Sequence, residues 1–210
     1  MTTVEERLIG ASFHGNVDEV NALLRDNPHV RVNLGHNDMT ALHCACRRGH
    51  AEVVKVLLAH SAINVNLKTQ EGATPLILGC AWGHVSVVCL LLRIPAVLAM
   101  ADNTGRTPLW WASYEGNHEV IEWLIASGRD LGDVTNAKGS VGVTFYSALE
   151  IARMKERRVA ELVLESFLAN PAQTRQKLRL KLDVNGIPSF SYLLSIFFTL
   201  SSFFRPQFNR

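Results

Sequence analysis

Two short apolar runs separated by a polar hinge recur along most of the chain. In Thr74–Leu92, TPLILGCAWGHVSVVCLLL, the runs are Leu76–Leu78 and Val85–Leu92, and the hinge is Gly83-His84. The plan returns upstream in Thr40–Leu58, TALHCACRRGHAEVVKVLL, and downstream in Thr107–Ile125, TPLWWASYEGNHEVIEWLI. Hinge glycines fall at Gly15, Gly49, Gly83 and Gly116, giving steps of 34, 34 and 33 residues. After each hinge the apolar residues are spaced i, i+3/i+4, as in Val53, Val54 and Leu57, then Val87, Val88 and Leu91, then Val120, Ile121 and Leu124. That spacing predicts helices over 51–59, 85–93 and 118–126. A fixed period in this range marks a stacked array, in which one helix pair cannot bury its own apolar face and its neighbours must cover it.

The punctuation agrees with helix pairs. Thr40, Thr74 and Thr107 stand where an N-cap hydroxyl would accept from a free first-turn amide, and proline follows the second and third of them at a position where its missing N–H does no harm. Ala45, Gly79 and Ala112 recur where neighbouring helices must approach closely. A first pair is expected over 5–14 and 17–25, stopped by Asn27-Pro28; its charged start suits an N-terminal cap with a polar outer face. Residues 30–39 are expected to form a finger with His36, Asn37 and Met39 at its tip. From Thr107 to Ser147 the step lengthens to 40 residues, the extra ones lying in Asp133–Tyr146, where we expect a longer finger folded around Lys138-Gly139-Ser140. Ser147–Phe167 supplies a last pair, with Glu156 in the hinge-glycine position and Arg157-Arg158 after it.

Thr-Pro-Leu, a small residue after it, Gly-His, Val-Val and Leu-Leu recur together at one period, and over roughly residues 5–167 the chain resembles ankyrin repeats. The resemblance implies an all-α fold, an α-solenoid of helix-turn-helix units with hairpin-like finger loops. The array would occupy 1–168, with repeats near 5–33, 34–67, 68–101, 102–135 and 136–168, followed by a tail over 169–210. It also implies a non-catalytic protein–protein interaction module that binds a protein partner through its concave helix face and fingers. In such arrays the residues just before the hinge glycine line the concave face, which selects Phe13, His14, Arg47, Arg48, Trp82, Tyr114 and Glu115, with His36 and Arg106 beside them from the fingers. Aromatics and arginine are the residue types enriched in binding hot spots. By repeat position Trp110 is expected to be partly packed and Trp111 to lie in the core. Asn66 occupies a finger position where the family carries a turn-bracing asparagine, hydroxylated in some members. The resemblance makes His43 a brace for the loop ahead of its helix, and His50 and His84 structural.

Composition narrows the function classes. Hydrophobic content of 48% with a net charge of +2 describes a folded, near-neutral chain and gives no reason to expect nucleic acid. MTTVEERLIG carries Glu5-Glu6 and no apolar core, unlike a signal peptide. Cys44, Cys46, Cys80 and Cys89 all fall in expected helices, which favours reduced thiols in cytoplasm or nucleus. Side chains at i and i+2 of a helix diverge by about 200°, so Cys44 and Cys46 cannot serve one metal with His43 and His50. No phosphate-loop, nucleophile-elbow or metalloprotease motif occurs, so neither enzyme activity nor a cofactor is expected. A monomer is expected.

The tail departs from this grammar. QTRQKLRLKL (173–182) alternates basic and apolar residues, and IPSFSYLLSIFFTLSSFF (187–204) carries no charge. As a helix the second segment would be about 27 Å long, near the thickness of a bilayer core. Three readings stand at this point: a membrane anchor on an adaptor, a segment packed on the last repeat, or an extension foreign to the repeat protein. The array could equally be the N-terminal part of a larger protein.

Overall fold

The computed structural model describes residues 3–36, 38–131 and 139–182. Asn37, Lys138 and the segment 187–204, singled out above, lie outside the described residues. Five helix pairs stack in chain order: α1 (Val4–His14) with α2 (Val17–Asp26), then α3 (Ala41–Arg48) with α4 (Ala51–Leu58), α5 (Pro75–Ala81) with α6 (Val85–Leu92), α7 (Pro108–Glu115) with α8 (His118–Ser127), and α9 (Ala148–Met154) with α10 (Arg158–Ala169). The first helices pack on one another as an inner layer, and the second helices form an outer layer. Between them one continuous core runs from Leu8 to Leu178. Each fully buried Leu, Ile or Val contributes about 1.5–3 kcal/mol. Helices of seven or eight residues would be marginal alone, so this burial decides their existence.

The inner helices start alike. Thr3, Thr40, Thr74, Thr107 and Ser147 are extended N-caps whose hydroxyls accept from the backbone N–H three residues on. They end alike too, in a left-handed residue at Gly15, Gly49, Gly83 and Gly116. Glu156 adopts the same conformation, φ 56°, without being glycine. The last hinge therefore keeps the geometry of the others, at the cost of Cβ strain.

Two fingers contain strand pairs. β1 (Gly35–His36) pairs antiparallel with β2 (Met39–Thr40), and β3 (Gly139–Val141) with β4 (Thr144–Tyr146). The register Val141↔Thr144 puts the second turn at Gly142-Val143, three residues beyond the Lys138–Ser140 turn expected from sequence. Gly142 supplies the positive φ that this turn needs. Gly139 lies in the strand for another reason: a Cβ there would come within 2.5 Å of the Arg106 side chain and 2.9 Å of Trp110.

Residues 171–182 include the basic segment of the tail. They form α11 (Pro171–Leu182), which lies against α8 and α10. Arg179 Nε donates to the Ala126 carbonyl at 2.7 Å, capping the C-terminal end of α8 where the free carbonyls concentrate negative charge. Lys181 Nζ reaches both carboxylate oxygens of Glu122 at 2.7 Å. Leu162 is about half exposed on α10.

Candidate partner-binding groove

Successive repeats are joined by side chains that satisfy the carbonyls left free at helix ends. His50 Nε2 donates to Phe13 O, and His84 Nε2 to Arg47 O, both at 3.0 Å. Asn117 takes over this task with donations to Cys80 O and Ala81 O, and Arg157 does so for Tyr114 O. From the second repeat on, the residue after each hinge position therefore ties the end of the preceding inner helix. His43 does the bracing expected of it: Nδ1 accepts from the Thr40 backbone N–H at 3.3 Å, and Nε2 donates to Leu67 O at 3.0 Å. Burial pushes its pKa below the ordinary histidine value. In the fingers Asn33 and Asn66 work the same way. Asn66 donates to Ala96 O at 2.7 Å and accepts from Leu98 N–H at 2.9 Å, so both ends of its amide are engaged.

These ties fix the residues before the hinges along the inner face. Phe13, His14, Arg47, Arg48 and Trp82 line one depression of about 550 Å³. Leu78, Ala81, Trp82, Trp111 and Glu115 line a second of about 550 Å³. Trp82 is the wall they share, and it is 56% exposed. Arg47 lies with Cζ 5.4 Å from the Trp82 ring centroid, and Arg48 with Cζ 4.3 Å from that of Phe13. Guanidinium planes over aromatic faces are held by the ring quadrupole and keep their N–H edges outward.

The remaining selected residues are placed differently. Tyr114 is half-buried, stacked on Trp110 at 5.3 Å and 18° and covered by Lys155 Nζ at 4.4 Å. Arg106 is turned into the finger base rather than outward: Nε donates to Ser140 O, and Cζ lies 5.2 and 5.1 Å from the Trp110 and Trp111 rings. His36 is exposed on β1, apart from the residues that line the two depressions. The expectations for the tryptophan pair are reversed. Trp110 is 1% exposed with Nε1 donating to Tyr146 O at 2.8 Å, because the glycine at 139 lets the long finger close over it. Trp111 is the partly exposed one; its indole N–H finds Asp102 at 3.0 Å and its ring lines the second depression.

The thiols do not form a reactive site. Burial raises the pKa of Cys44, Cys46 and Cys80, and that of Cys89 to about 11. Among the described residues no group of His, Cys, Asp or Glu could hold a metal ion. No described helix is long and apolar enough to cross a membrane.

Two features escaped sequence reasoning. Arg129 is buried, and its guanidinium donates to the carbonyls of Leu92, Ile94, Pro95 and Val97 at 2.6–3.2 Å, closing the end of α6. α11 does the equivalent for α8 through Arg179. Arginine beyond a helix end is the signal that would have found both.

Family models for ankyrin repeats match residues 8–99, as three copies, and residues 104–138. The chain belongs to the ankyrin-repeat family. The fifth pair, α9–α10, follows the matched residues and is ankyrin-like by its stacking and hinge. Among curated relatives, a probable E3 ubiquitin-protein ligase of Oryza sativa subsp. japonica is 32% identical over 123 residues, 58% of this chain and 25% of its own. The human ankyrin repeat domain-containing protein 63 is 37% identical over 101 residues, 47% of this chain and 26% of its own. The putative ankyrin repeat protein YahD of Escherichia coli is 39% identical over 89 residues, 40% of this chain and 44% of its own. The chain thus aligns with less than half the length of each. Ankyrin repeats are generally protein-interaction modules, and that level of function holds for this chain.

Proposed function

We propose that this ankyrin array is a non-catalytic adaptor that holds an extended segment of a protein partner along its inner groove. The observation that carries the proposal is Trp82, a large side chain 56% exposed that forms the common wall of two adjoining depressions. An exposed indole backed by stiff helices contributes contact area at small entropic cost, as binding hot spots do. Arg47, Arg48 and Glu115 rim the same groove, while Tyr114 packs edge-on against Trp111 of its second depression. His36 and Arg106 drop out of the contact surface we assign.

The test is a photo-crosslinking residue placed at Trp82 in the whole chain, with the same residue at Lys55 on the outer helix α4 as control. The expected result is a defined protein adduct from position 82 and none from 55. Adducts from 55 alone would move binding to the outer layer and end this reading.

A further inference from the structure

Four arginines of the described residues lie over aromatic rings. Of these, Arg106 is held in the finger base by Ser140 O and Arg175 lies on Phe167 with its Nε buried, whereas Arg47 and Arg48 line a depression of the groove. Among the described residues Arg7, Arg25, Arg31, Arg153 and Arg158 meet carboxylates, and Arg129, Arg157 and Arg179 meet backbone carbonyls. The Arg47 and Arg48 guanidiniums lie over the Trp82 and Phe13 rings instead, and their described hydrogen bonding amounts to Arg47 Nη1 on the Met39 sulfur at 3.8 Å. A guanidinium carries five N–H donors in a fork that matches a carboxylate. Two oriented forks with unspent donors therefore stand side by side, with His14 beside them and no carboxylate in the lining of that depression.

Across Trp82 the character changes. The second depression is walled by Ile77, Leu78, Ala81 and Trp111, and its one charged lining residue is the acid Glu115. We infer that the groove selects a protein segment with an acidic stretch beside a bulky apolar side chain, the acids on Arg47 and Arg48 and the apolar group between Trp82 and Trp111. Packed helices lie about 8–10 Å apart and an extended chain advances about 3.3 Å per residue, so the two features are separated by about three residues. This rests on the groove reading above and adds the class of ligand. A nucleic-acid strand fits less well, because its unbroken line of phosphates would run past the Glu115 carboxylate.

The test uses the full chain and short fluorescent peptides read by anisotropy. One peptide carries a Glu-Asp-Glu run three residues from a leucine pair; a second has lysine for each acid; a third keeps the acids and has serine for each leucine. Oligothymidine is the fourth probe. The acidic-apolar peptide is expected to bind tightest and to weaken with salt. Arg47→Glu/Arg48→Glu is expected to weaken it by about tenfold or more, and to transfer preference to the lysine peptide. Lys55→Glu on α4 is expected to leave it unchanged. Should the charge reversal unfold the chain by circular dichroism, Arg47→Gln/Arg48→Gln takes its place, with the same loss expected and no transfer.

Equal binding of acidic and lysine peptides, an equal loss in Lys55→Glu, or tighter binding of oligothymidine would overturn the inference. The groove reading fails separately. If position 82 still crosslinks its partner after Arg47 and Arg48 are replaced, with undiminished yield, the acidic preference falls and the groove stands. If position 82 crosslinks nothing, the groove falls as well.

Discussion

The imidazole of His84 lies across Gly49, so close that a Cβ on the glycine would sit 2.5 Å from Nδ1. The same imidazole donates to the Arg47 carbonyl, which precedes the glycine by two residues. Gly49 is thus held twice, by its left-handed backbone and by the histidine of the next repeat. Gly49→Ala is expected to destabilise the chain by about 2–3 kcal/mol, roughly 1–2 for a Cβ in the left-handed region and about 1 for the displaced hydrogen bond. Urea denaturation measures it; a loss below about 0.5 kcal/mol, the range of an ordinary surface substitution, would show that the hinge does not couple the repeats.

Glu156 makes the opposite prediction. It holds φ 56° with an exposed side chain that makes no described hydrogen bond or ion pair. Left-handed strain costs roughly 1–2 kcal/mol, against roughly 0.5–1 for the extra unfolded-state freedom of glycine. Glu156→Gly is therefore expected to stabilise by about 0.5–1 kcal/mol, seen as a higher urea midpoint with an unchanged slope.

His43 gives stability a pH dependence. Its folded pKa lies below the unfolded value near 6.5 because the charged ring would be desolvated. Below about pH 6.5 the unfolded chain therefore binds the proton more readily than the folded one. The contribution is full above that pH and is lost as pH falls from it towards the folded value. The difference in unfolding free energy between wild type and His43→Gln is expected to shrink on acidification through this window. A constant difference would mean that His43 titrates alike in both states.

Thiol labelling should follow burial. Cys46 and Cys80 are fully enclosed, and Cys89, half-buried with a pKa of about 11, has about 0.1% thiolate at pH 8. The native chain is expected to react slowly with a disulfide thiol reagent, at Cys89 first, and all four cysteines at once on unfolding. Fast labelling of Cys46 or Cys80 would reveal opening between repeats two and three.

At the C-terminal end, Lys181→Ala leaves Glu122, 8% exposed in its side chain, without its ammonium partner. Lys181 itself is largely exposed, so the loss is expected near the low end for an unsatisfied buried group, about 1 kcal/mol. Glu122→Leu/Lys181→Leu should recover most of it. Failure of the double variant to recover would assign the effect to α11 packing rather than to the ion pair.

The repeat period, caps and hinges were legible because each rests on local chemistry: a threonine hydroxyl, a glycine φ, an i, i+4 stripe. What could not be read depended on which repeat faces which. Trp110 and Trp111 are adjacent and chemically alike, and their burial was decided by Gly139, a glycine some thirty residues away that lets a finger close over one of them. Arg106 reads as an exposed finger residue until the carbonyl of Ser140 arrives beside it. Along the groove, Phe13, His14, Arg47, Arg48, Trp82 and Glu115 line the two depressions, and Tyr114 does not. Their separation into a basic and an apolar depression required knowing that Trp82 stands between them.

Arg179 and Lys181 reach from the last described helix to α8, past the fifth pair. The fifth pair is therefore bracketed, and it cannot peel away unless α11 lets go of the fourth. Among the described residues the first pair has no such bracket and packs on the second pair. Drawn apart between α1 and α11, the solenoid would yield from the α1 side, so that under load the array unzips in one direction.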